Sequence, residues 1–222
     1  MTSLIITPDE AGVDEVGMGC LWGNVFAGAV LMPPTFEDGD KLVSKIKDSK
    51  KCSAKLRAKL AAYIEGTALA YGIGTASVEE IDNMNILHAR TLAMHRAIEN
   101  AQKMQVNGEC PAFSAVVVDG DRFYPPPHAP DLKYRCVVQG DATHLNVAAA
   151  SVLAKHHRDC YVLQAVAARP ELQTMYGFET NKGYGTAKHM QGLAAHGPSE
   201  LHRMSFAPCR ISRELHALST YS

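Results

Sequence analysis

The sequence predicts an α/β fold, because segments with the pattern of buried strands alternate with segments of helical spacing. The apolar stretches 11–13 and Val25 to Met32 are typical of buried strands, and the run from Ala115 to Val118 is too short for a helix. Apolar residues at helical spacing follow Ser53 and Asn85. We therefore expect a sheet that is covered by helices.

The elements between the second strand and the first long helix are short. Pro33-Pro34 ends the second strand, and the segment from Asp40 to Lys47 predicts a short helix. The tetrapeptide D-S-K-K at 48–51 predicts a turn. Ser53 is a suitable N-cap for a helix that continues to about Glu65.

A strand and two helices are predicted next. The segment from Leu69 to Thr75 predicts a strand, and Ser77 with Glu80 has the capping-box pattern at the start of a helix. A longer helix from Asn85 to about Met104 carries an apolar stripe, whose expected role is core packing.

The second half of the chain continues the alternation of strands and helices. After a proline-rich loop at 121–131, the segment from Tyr134 to Gln139 predicts a strand. An Ala-rich run from Val147 to Lys155 predicts a helix. A glycine- and aromatic-rich loop at 176–186 then precedes a helix from Ala187 to His196.

With 222 residues, of which 46% are hydrophobic and 20% charged, the chain can bury a full core. We expect one domain, 1–222, with 186–222 as a small helical C-terminal extension. No apolar run approaches the ~18 residues of a membrane-spanning helix, and the first residues lack a basic region followed by a long apolar one. An intracellular, cytoplasmic monomer without membrane association is therefore expected.

Cysteine and histidine patterns argue against a zinc site. The six cysteines are scattered with no C-x-x-C spacing, so we expect reduced thiols instead of a zinc ribbon or a disulfide framework. The ten histidines include no H-E-x-x-H motif, which favours solvated or core-edge positions.

The distribution of charge is more informative than the net charge of −1. Lysines dominate the segment 41–57, and a second basic group lies late in the chain, at Lys182, Lys188, Arg203, Arg210 and Arg213. A run of like charge is usually only a solvated helix face. Two basic groups on either side of acidic residues could instead bind a polyanion.

Two adjacent carboxylates, Asp14 and Glu15, follow the first strand pattern and precede a loop that is spaced by Gly17 and Gly19. Neighbouring strand residues point to opposite faces, so both carboxylates can serve one site only if the strand ends or bends there. Glycines permit such a bend. The alternative is an ordinary charged transition from strand to turn.

Two further carboxylates occupy the ends of predicted elements. Asp119 follows an apolar strand, and Asp141 precedes the Ala-rich helix, where an N-cap is the alternative role. If the four converge, their oxygens would suit Mg²⁺ or Mn²⁺. Two such ions about 4 Å apart could activate a water and stabilise the leaving oxygen of a phosphodiester.

Ordered sequence blocks along nearly the whole chain resemble the type 2 ribonuclease H family in its bacterial ribonuclease HII form. The blocks are G-V-D-E-V-G-x-G (12–19), D-S-K-K (48–51), I-D-x-x-N-I-L-x-A (81–89), V-V-D-G (117–120), G-D-A (140–142), A-A-A-S-V-L-A-K-x-x-R-D (148–159), Y-G-F-x-x-N-K-G-Y-G-T (176–186) and G-P-S-x-x-H-R-x-S-F (197–206). The length argues against the HIII relatives, which carry an extra N-terminal domain.

The resemblance implies a ribonuclease H-like mixed β-sheet flanked by helices, with a helical C-terminal part. It implies an endonuclease that cuts the RNA strand of RNA/DNA hybrids and nicks 5′ of single ribonucleotides embedded in duplex DNA. The implied cofactor is Mg²⁺ or Mn²⁺, with two ions when substrate is bound. The implied partner is nucleic acid.

The resemblance also implies which residues form the site. Asp14, Glu15, Asp119 and Asp141 match the metal-binding and catalytic carboxylates of the family. Gly17 and Gly19 match the outer glycines of a G-R-G loop that contacts the 2′-hydroxyl region of the RNA-to-DNA junction. The other implied substrate contacts are Met18 within that loop, Ser49, Lys50, Lys182, Arg203, and Tyr184, which matches a tyrosine that stacks on the sugar following the ribonucleotide.

This chain departs from the family pattern at three places. Met18 replaces the central arginine of G-R-G, and Met204 replaces the second arginine of H-R-R-S-F. Methionine has no charge and no N–H donor, so we expect a missing phosphate contact at each position. The family's usual proline is absent from 143–147, so the shape of the loop there is expected to differ slightly from that of the family. Two interpretations remain: an active metal-dependent endoribonuclease, or a hybrid-binding protein with weakened or lost catalysis.

Overall fold

The computed structural model describes residues 4–36, 40–46, 52–104 and 113–219. The chain forms two compact units. The first contains the residues up to Val16 together with Phe26–Thr75 and Arg90–His157. The second contains Gly17–Val25, Ala76–Ala89 and the residues from Arg158 onward. The predicted turn at 48–51 lies outside the described residues.

A mixed sheet forms the centre of the first unit. Its strands are β1 (Glu10–Val16), β2 (Val25–Leu31), β3 (Ala70–Ala76), β4 (Ala115–Asp119) and β5 (Lys133–Val137), in the spatial order β3-β2-β1-β4-β5. β1 pairs antiparallel with β2 and parallel with β4, and β4 pairs parallel with β5. The expectation of a mixed β-sheet is therefore confirmed.

The helices include the predicted ones, with boundaries that differ by a few residues at most positions. In the described residues they are α1 (Ala54–Thr67), α2 (Val78–Met84), α3 (Ile86–Lys103), α4 (Leu145–Ala168), α5 (Glu171–Tyr176), α6 (Phe178–Asn181), α7 (Ala187–His196) and α8 (Ala207–Ser219). The Ser53 side chain accepts the Leu56 N–H, as predicted for an N-cap. The predicted capping box of Ser77 and Glu80 is present as well.

Glycines allow two helices to pack directly against strand backbone. A Cβ atom on Gly12 of β1 would lie 2.1 Å from the backbone of Asn146 in α4. A Cβ atom on Gly74 of β3 would lie 2.1 Å from the carbonyl oxygen of Ala93 in α3. The absence of side chains at these positions therefore sets how closely α3 and α4 approach the sheet.

The core of the first unit joins α1, α4 and the sheet. Leu60 and Ile64 of α1 are fully buried against Val30 of β2 and against Ala149 and Leu153 of α4. Small alanine side chains on α4 keep the layer thin, and the leucines fill the remaining space at interior density. The Ala-rich run thus produces a helix that lies close to the strands.

The core of the second unit is aromatic. The Trp22 ring lies 4.9 Å from that of Phe178, and the Phe178 ring lies 5.2 Å from that of Tyr176, measured between ring centroids. Val162 and Leu193 complete this buried cluster. Tilted and stacked aromatic contacts of this kind add to the free energy gained by burial.

Two boundaries were predicted incorrectly. The segment from Asp40 contains only a short 3-10 turn, Val43–Lys45, because the backbone is already extended at Ile46, with φ −70° and ψ 100°. α4 continues to Ala168, well past Lys155, because its later turns bury Val162 and Val166 in the core of the second unit.

In the part of the chain that the structure describes, no helix combines the length and apolar character needed to cross a membrane.

Candidate active site

The strand register places Asp14 and Asp119 side by side at the carboxyl ends of two parallel strands. Val13 of β1 pairs with Val118 of β4, so the next residue on each strand is a carboxylate. Side chains at matching positions of neighbouring strands project to the same face. The sheet thus brings together two of the four predicted carboxylates, which are distant in the sequence.

The Asp14 side chain is buried and oriented by hydrogen bonds. Its Oδ1 accepts the backbone N–H of Glu15 at 2.7 Å, and the Ser151 side chain of α4 also hydrogen bonds to its carboxylate. Burial above all, and then the charges of Glu15 and Asp119, raise the pKa of Asp14 well above its usual value. A cation at this position would relieve both effects.

Glu15 faces a different helix from Asp14. β1 stays in register with β2 as far as the pair Val16 and Phe26, so the strand ends one residue after Glu15. The bend comes at Gly17, whose φ is 93°. Glu15 Oε1 lies 3.8 Å from Nη1 of Arg90 on α3. Alternation along the strand turns the two side chains apart, yet the charge of Glu15 still raises the pKa of Asp14, so the two carboxylates lie close together at the end of β1.

Asp119 is linked to the turn that carries Asp141. The Gly140 N–H donates to Asp119 Oδ1 at 2.7 Å, and Gly140–Ala142 forms a 3-10 turn that includes Asp141. Asp141 is therefore not the N-cap of α4, which begins at Leu145. The turn is possible because Gln139 adopts a left-handed conformation, with φ 57°.

A series of hydrogen-bonded polar side chains supports the turn that contains Asp141. The Arg135 guanidinium pairs with the Glu10 carboxylate at 2.7 Å and donates from Nη1 to His144 Nε2 at 3.1 Å. The His144 Nδ1–H then donates to Thr143 Oγ1 at 2.9 Å, and Thr143 Oγ1 donates to the Gly140 carbonyl at 3.3 Å. These bonds hold residues 140–144 where the family's usual proline is absent.

The donor set fits a divalent cation that is shared with substrate. No three His, Cys, Asp or Glu side chains within residues 4–36, 40–46, 52–104 and 113–219 lie close enough together to form a complete metal-ligand cluster. Mg²⁺, however, is commonly held by one or two carboxylates, with waters and substrate phosphates as the remaining ligands. The buried Asp14 carboxylate and the neighbouring negative charges of Glu15 and Asp119 meet that requirement.

In the second unit, Arg203 supports the glycine-spaced loop from within. Its guanidinium is fully buried and donates to the carbonyl oxygens of Gly17 at 2.8 Å, Met18 at 3.0 Å and Gly23 at 2.9 Å. The expected substrate contact of Arg203 is therefore contradicted, because a guanidinium without exposed surface cannot reach a phosphate. The motif alone does not reveal this, since it gives the residue type and not its burial.

Arg158 plays a similar part for the neighbouring loop that carries Tyr184. It is fully buried and donates to the carbonyl oxygens of Trp22 at 3.2 Å and Lys182 at 2.8 Å. The Tyr184 ring lies over the Arg158 guanidinium, 5.8 Å from its carbon to the ring centroid, yet 38% of the residue stays exposed. Burial, and next the Cys20 thiol, raise the pKa of Tyr184 to about 12, so its hydroxyl is neutral.

The other expected substrate contacts have mixed outcomes. Ser49 and Lys50 lie outside the described residues. Lys182 has a left-handed φ of 50°, and its ammonium group donates to the carbonyl of Glu179, so its side chain folds back on its own loop. Met18 is half-buried and Gly19 is exposed, which leaves the tip of the loop accessible.

Several residues that support these loops were not singled out by sequence reasoning. The Asp82 carboxylate accepts the N–H groups of Met204 at 2.8 Å and Ser205 at 2.9 Å, which gives the I-D-x-x-N block a structural role. Ser151 is a polar residue in a buried, apolar part of its helix. That contrast with its neighbours was the only sign in the sequence that it has a specific role. The contact between Arg90 and Glu15 had no sequence signal, because it depends on tertiary packing.

Comparisons with known proteins agree with this arrangement. The family model for Ribonuclease HII matches residues 11–209. A ribonuclease HII of Parabacteroides distasonis is 43% identical over 197 residues, which cover 89% of each chain. The ribonuclease H2 of Pyrococcus horikoshii OT3 has a TM-score of 0.67 and 22% identity, and covers 93% of this chain and 98% of that chain.

A second solved structure, Bst-RNase HIII in complex with Mn²⁺, has a TM-score of 0.69 and 16% identity, over 97% of this chain and 72% of that chain. Both structural likenesses show that the fold is the ribonuclease H-like mixed sheet with flanking helices. The family match extends over most of the chain and includes the strands that carry Asp14 and Asp119. The chain therefore belongs to the ribonuclease HII family.

Proposed function

We propose that this ribonuclease H, an enzyme that acts on RNA/DNA hybrids, hydrolyses phosphodiesters with two divalent ions held by Asp14, Glu15, Asp119 and Asp141. The observation that carries the proposal is the parallel register of β1 with β4, in which Val13 pairs with Val118 immediately before Asp14 and Asp119. Mg²⁺ and Mn²⁺ are the proposed ions, since the donors are all carboxylate oxygens.

The ions, when bound, would activate a water and stabilise the leaving oxygen of an in-line displacement. The chain itself supplies fixed ligands. The Glu15 N–H and Ser151 orient the Asp14 carboxylate, and the Gly140 N–H orients that of Asp119. Backbone donors of this kind preorganise the ligands, so little reorganisation is needed when substrate arrives.

Recognition of the substrate is proposed to lie in the second unit. The Gly17–Gly19 loop would contact the 2′-hydroxyl region of an RNA-to-DNA junction through its backbone, and Tyr184 would stack on the sugar that follows the ribonucleotide. The buried Arg203 holds the loop carbonyls inward, which supports a role for the opposite side of the loop in binding. Lys182, Ser49 and Lys50 are proposed as weaker backbone contacts.

This recognition would let the enzyme nick 5′ of single ribonucleotides in duplex DNA as well as cut RNA tracts in hybrids. The proposed partners are therefore RNA/DNA hybrids and ribonucleotide-containing duplexes. A monomeric state, a cytoplasmic location and the extension at 186–222 remain predictions from the sequence.

The second candidate is a hybrid-binding protein with weakened catalysis, favoured by Met18 and Met204 in place of arginines. A cleavage assay separates the two. Duplexes with one ribonucleotide, with an RNA tract or with DNA alone are incubated with Mg²⁺, with Mn²⁺ or with EDTA. We expect metal-dependent cleavage of the first two duplexes and none of the third. Binding without cleavage in either metal would favour the second candidate.

A further inference from the structure

Two buried histidines in the second unit take no part in the proposed chemistry. His189 of α7 is 0% exposed and His202 is 1% exposed. Their Nε2 atoms lie 2.9 Å apart, within hydrogen-bonding distance of each other. Because two ring nitrogens can share one proton only if one donates and the other accepts, the contact fixes a direction that the surrounding groups reveal.

The direction of the contact follows from Ser199. Its backbone N–H donates to His202 Nδ1 at 2.8 Å, and a backbone N–H can only donate. His202 Nδ1 is therefore the acceptor nitrogen, and the ring proton of the neutral imidazole lies on Nε2. That proton is donated to His189 Nε2.

The position of the ring proton of His189 follows from its two contacts. Its Nε2 accepts from His202, so its proton lies on Nδ1, which is 3.0 Å from the carbonyl oxygen of Tyr184. A carbonyl can only accept, so the assignment is consistent at both ends. The result is one directed chain of hydrogen bonds from Ser199 through both histidines to Tyr184.

Burial keeps both rings neutral. It lowers the pKa of His189, and burial together with the nearby His189 lowers the pKa of His202 to about 3. A second proton on His189 would lie on Nε2, against the Nε2–H of His202, and a second proton on His202 would lie on Nδ1, against the Ser199 N–H. The donor at Nδ1 of His189 is therefore present throughout the neutral pH range.

The Tyr184 carbonyl is held by two donors, and this determines the position of the ring. The Thr186 N–H donates to it at 2.8 Å, in addition to His189. On the preceding residue, the Gly183 carbonyl accepts the Leu21 N–H at 2.9 Å, and the Gly183 N–H donates to the Asn181 side chain at 2.8 Å. With the peptide planes on both sides fixed, the Cα–Cβ bond of Tyr184 has one direction, from which the half-exposed ring lies over Arg158.

We propose that His189, supported by His202, is a positioning residue that acts through Tyr184 and sets the preference for single embedded ribonucleotides. The inference depends on the proposed stacking role of Tyr184. His189 touches no substrate itself. Its contribution is to keep the Tyr184 backbone, and hence the ring, in one orientation before substrate binds.

A double-mutant cycle tests the inference. His189→Leu removes the donor, and we expect the ratio of kcat/KM for a one-ribonucleotide duplex to that for an RNA-tract hybrid to fall roughly tenfold, the scale of one lost hydrogen bond. In a Tyr184→Ala background the same change should leave the ratio unaltered, because its effect passes through the ring. His189→Asn, whose amide can replace the Nδ1–H, should retain most of the ratio.

Leu193→Ala serves as the matched control. Leu193 is buried in the same helix and the same core, but it takes no part in the chain of hydrogen bonds. It should lower the melting temperature without changing the ratio. If it lowers the ratio as much as His189→Leu does, general loosening of the unit explains the result and the positioning role is refuted.

Outcomes of the cycle separate this inference from the function on which it depends. If Tyr184→Ala leaves the ratio unchanged, the stacking role fails and the inference fails with it. If Tyr184→Ala lowers the ratio but His189→Leu adds an equal further loss in that background, only the positioning role is refuted. A measurement on the unaltered protein needs no variant: nitrogen NMR should find the proton on Nδ1 of His189 and on Nε2 of His202, and the opposite pattern would overturn the chain.

Discussion

The two units build their functional surfaces in opposite ways. In the first unit, backbone N–H groups of Glu15 and Gly140 hold the carboxylates of Asp14 and Asp119. In the second, the buried guanidinium groups of Arg158 and Arg203 hold backbone carbonyls of the recognition loops. In the first unit, side chains are thus the groups proposed to take part in the chemistry. In the second unit, side chains instead hold the backbone of the loops that are proposed to bind substrate.

This difference predicts unequal effects of mutation. A change to a working carboxylate removes chemistry and leaves the fold, whereas a change to a scaffold residue alters the shape of a loop. Variants that show the reverse would contradict this contrast between the two units.

The largest effect is expected from Asp119→Asn. The asparagine Oδ1 can still accept the Gly140 N–H, so the turn is preserved while the charge needed for a metal ligand is lost. We expect cleavage to fall at least the ~10²–10³-fold typical of removing one group that stabilises developing charge. Hybrid binding should be largely intact. Turnover is measured beside Asp121→Asn, an exposed neighbour, and near-normal turnover by Asp119→Asn would remove Asp119 from the proposed site.

The next largest effect concerns packing of the first unit. In Gly12→Ala the new Cβ atom would lie 2.1 Å from backbone atoms of Asn146 and Val147, which cannot move aside independently of α4. We expect a loss of about 3 kcal/mol in the free energy of unfolding, at the upper end for overpacking. Gly19→Ala is the matched change in the recognition loop, where no atom lies within 4 Å of the Cβ position. Denaturant unfolding that gives equal losses would contradict this contrast.

Recognition should depend on the Tyr184 ring more than on its hydroxyl. We expect Tyr184→Ala to lose ~10-fold or more on a one-ribonucleotide duplex, since stacking on an aromatic ring is worth ~1–3 kcal/mol. Tyr184→Phe keeps the ring and should retain most activity. Equal losses in kcat/KM for the two variants would assign the role to the hydroxyl.

The strands and most helices could be predicted because local pattern and tertiary fold agree in this chain. Asp14 and Asp119 were predicted at strand ends from short apolar runs, and the register of β1 with β4 then places them together. The contact of Glu15 with Arg90 could not be predicted, because it depends on how α3 packs against the sheet. Asp141 was expected close to a helix start, whereas a left-handed Gln139 produces a separate turn before α4.

The arginine and histidine scaffold of the second unit could not be predicted for a different reason. Sequence blocks include Arg158, Arg203 and His202, but a motif gives the residue type and not its burial, and on that basis Arg203 was expected to contact substrate. Burial changes the role that a motif implies for a basic residue. A fully buried guanidinium must find its acceptors within the protein, and here these are loop carbonyls, although Nη2 of Arg203 has no acceptor among the described residues.

A smaller effect is expected when pH is lowered. The folded pKa of His202 is about 3, below the ordinary value of 6.5, because burial and then His189 disfavour the charged ring. The unfolded chain therefore binds protons that the folded chain does not, so the stabilisation is complete above pH 6.5 and is lost progressively as pH falls towards 3. Unfolding free energies measured from pH 7 to 4 should decline, and His202→Gln, which cannot titrate, should flatten that decline. An unchanged slope in the variant would assign the pH dependence to other groups.

The smallest effect is expected from Met18→Arg, which restores the arginine found in relatives. Met18 is half-buried, and its carbonyl is already used by Arg203. A new guanidinium at this position would therefore leave the loop conformation intact and extend from it. If it reaches a phosphate, the slope of log affinity against log salt should steepen by about 0.9, the value for one more neutralised phosphate of B-form duplex.

The measurement uses the inactive Asp119→Asn protein, with and without Met18→Arg, and a one-ribonucleotide duplex across a salt series. A like-charged neighbour is the main competing explanation for a weak result, since a lysine of the 41–55 segment could already occupy the phosphate site. Met204→Arg distinguishes the two cases: the Met204 N–H is tied to Asp82, so a guanidinium there extends from a fixed backbone as well. A steeper slope for Met204→Arg alone would place position 18 away from phosphate and leave Met18 as a packing residue. Unchanged slopes for both would mean that this chain binds its substrate without either contact, and that its affinity rests on the backbone of the loop that Arg203 supports.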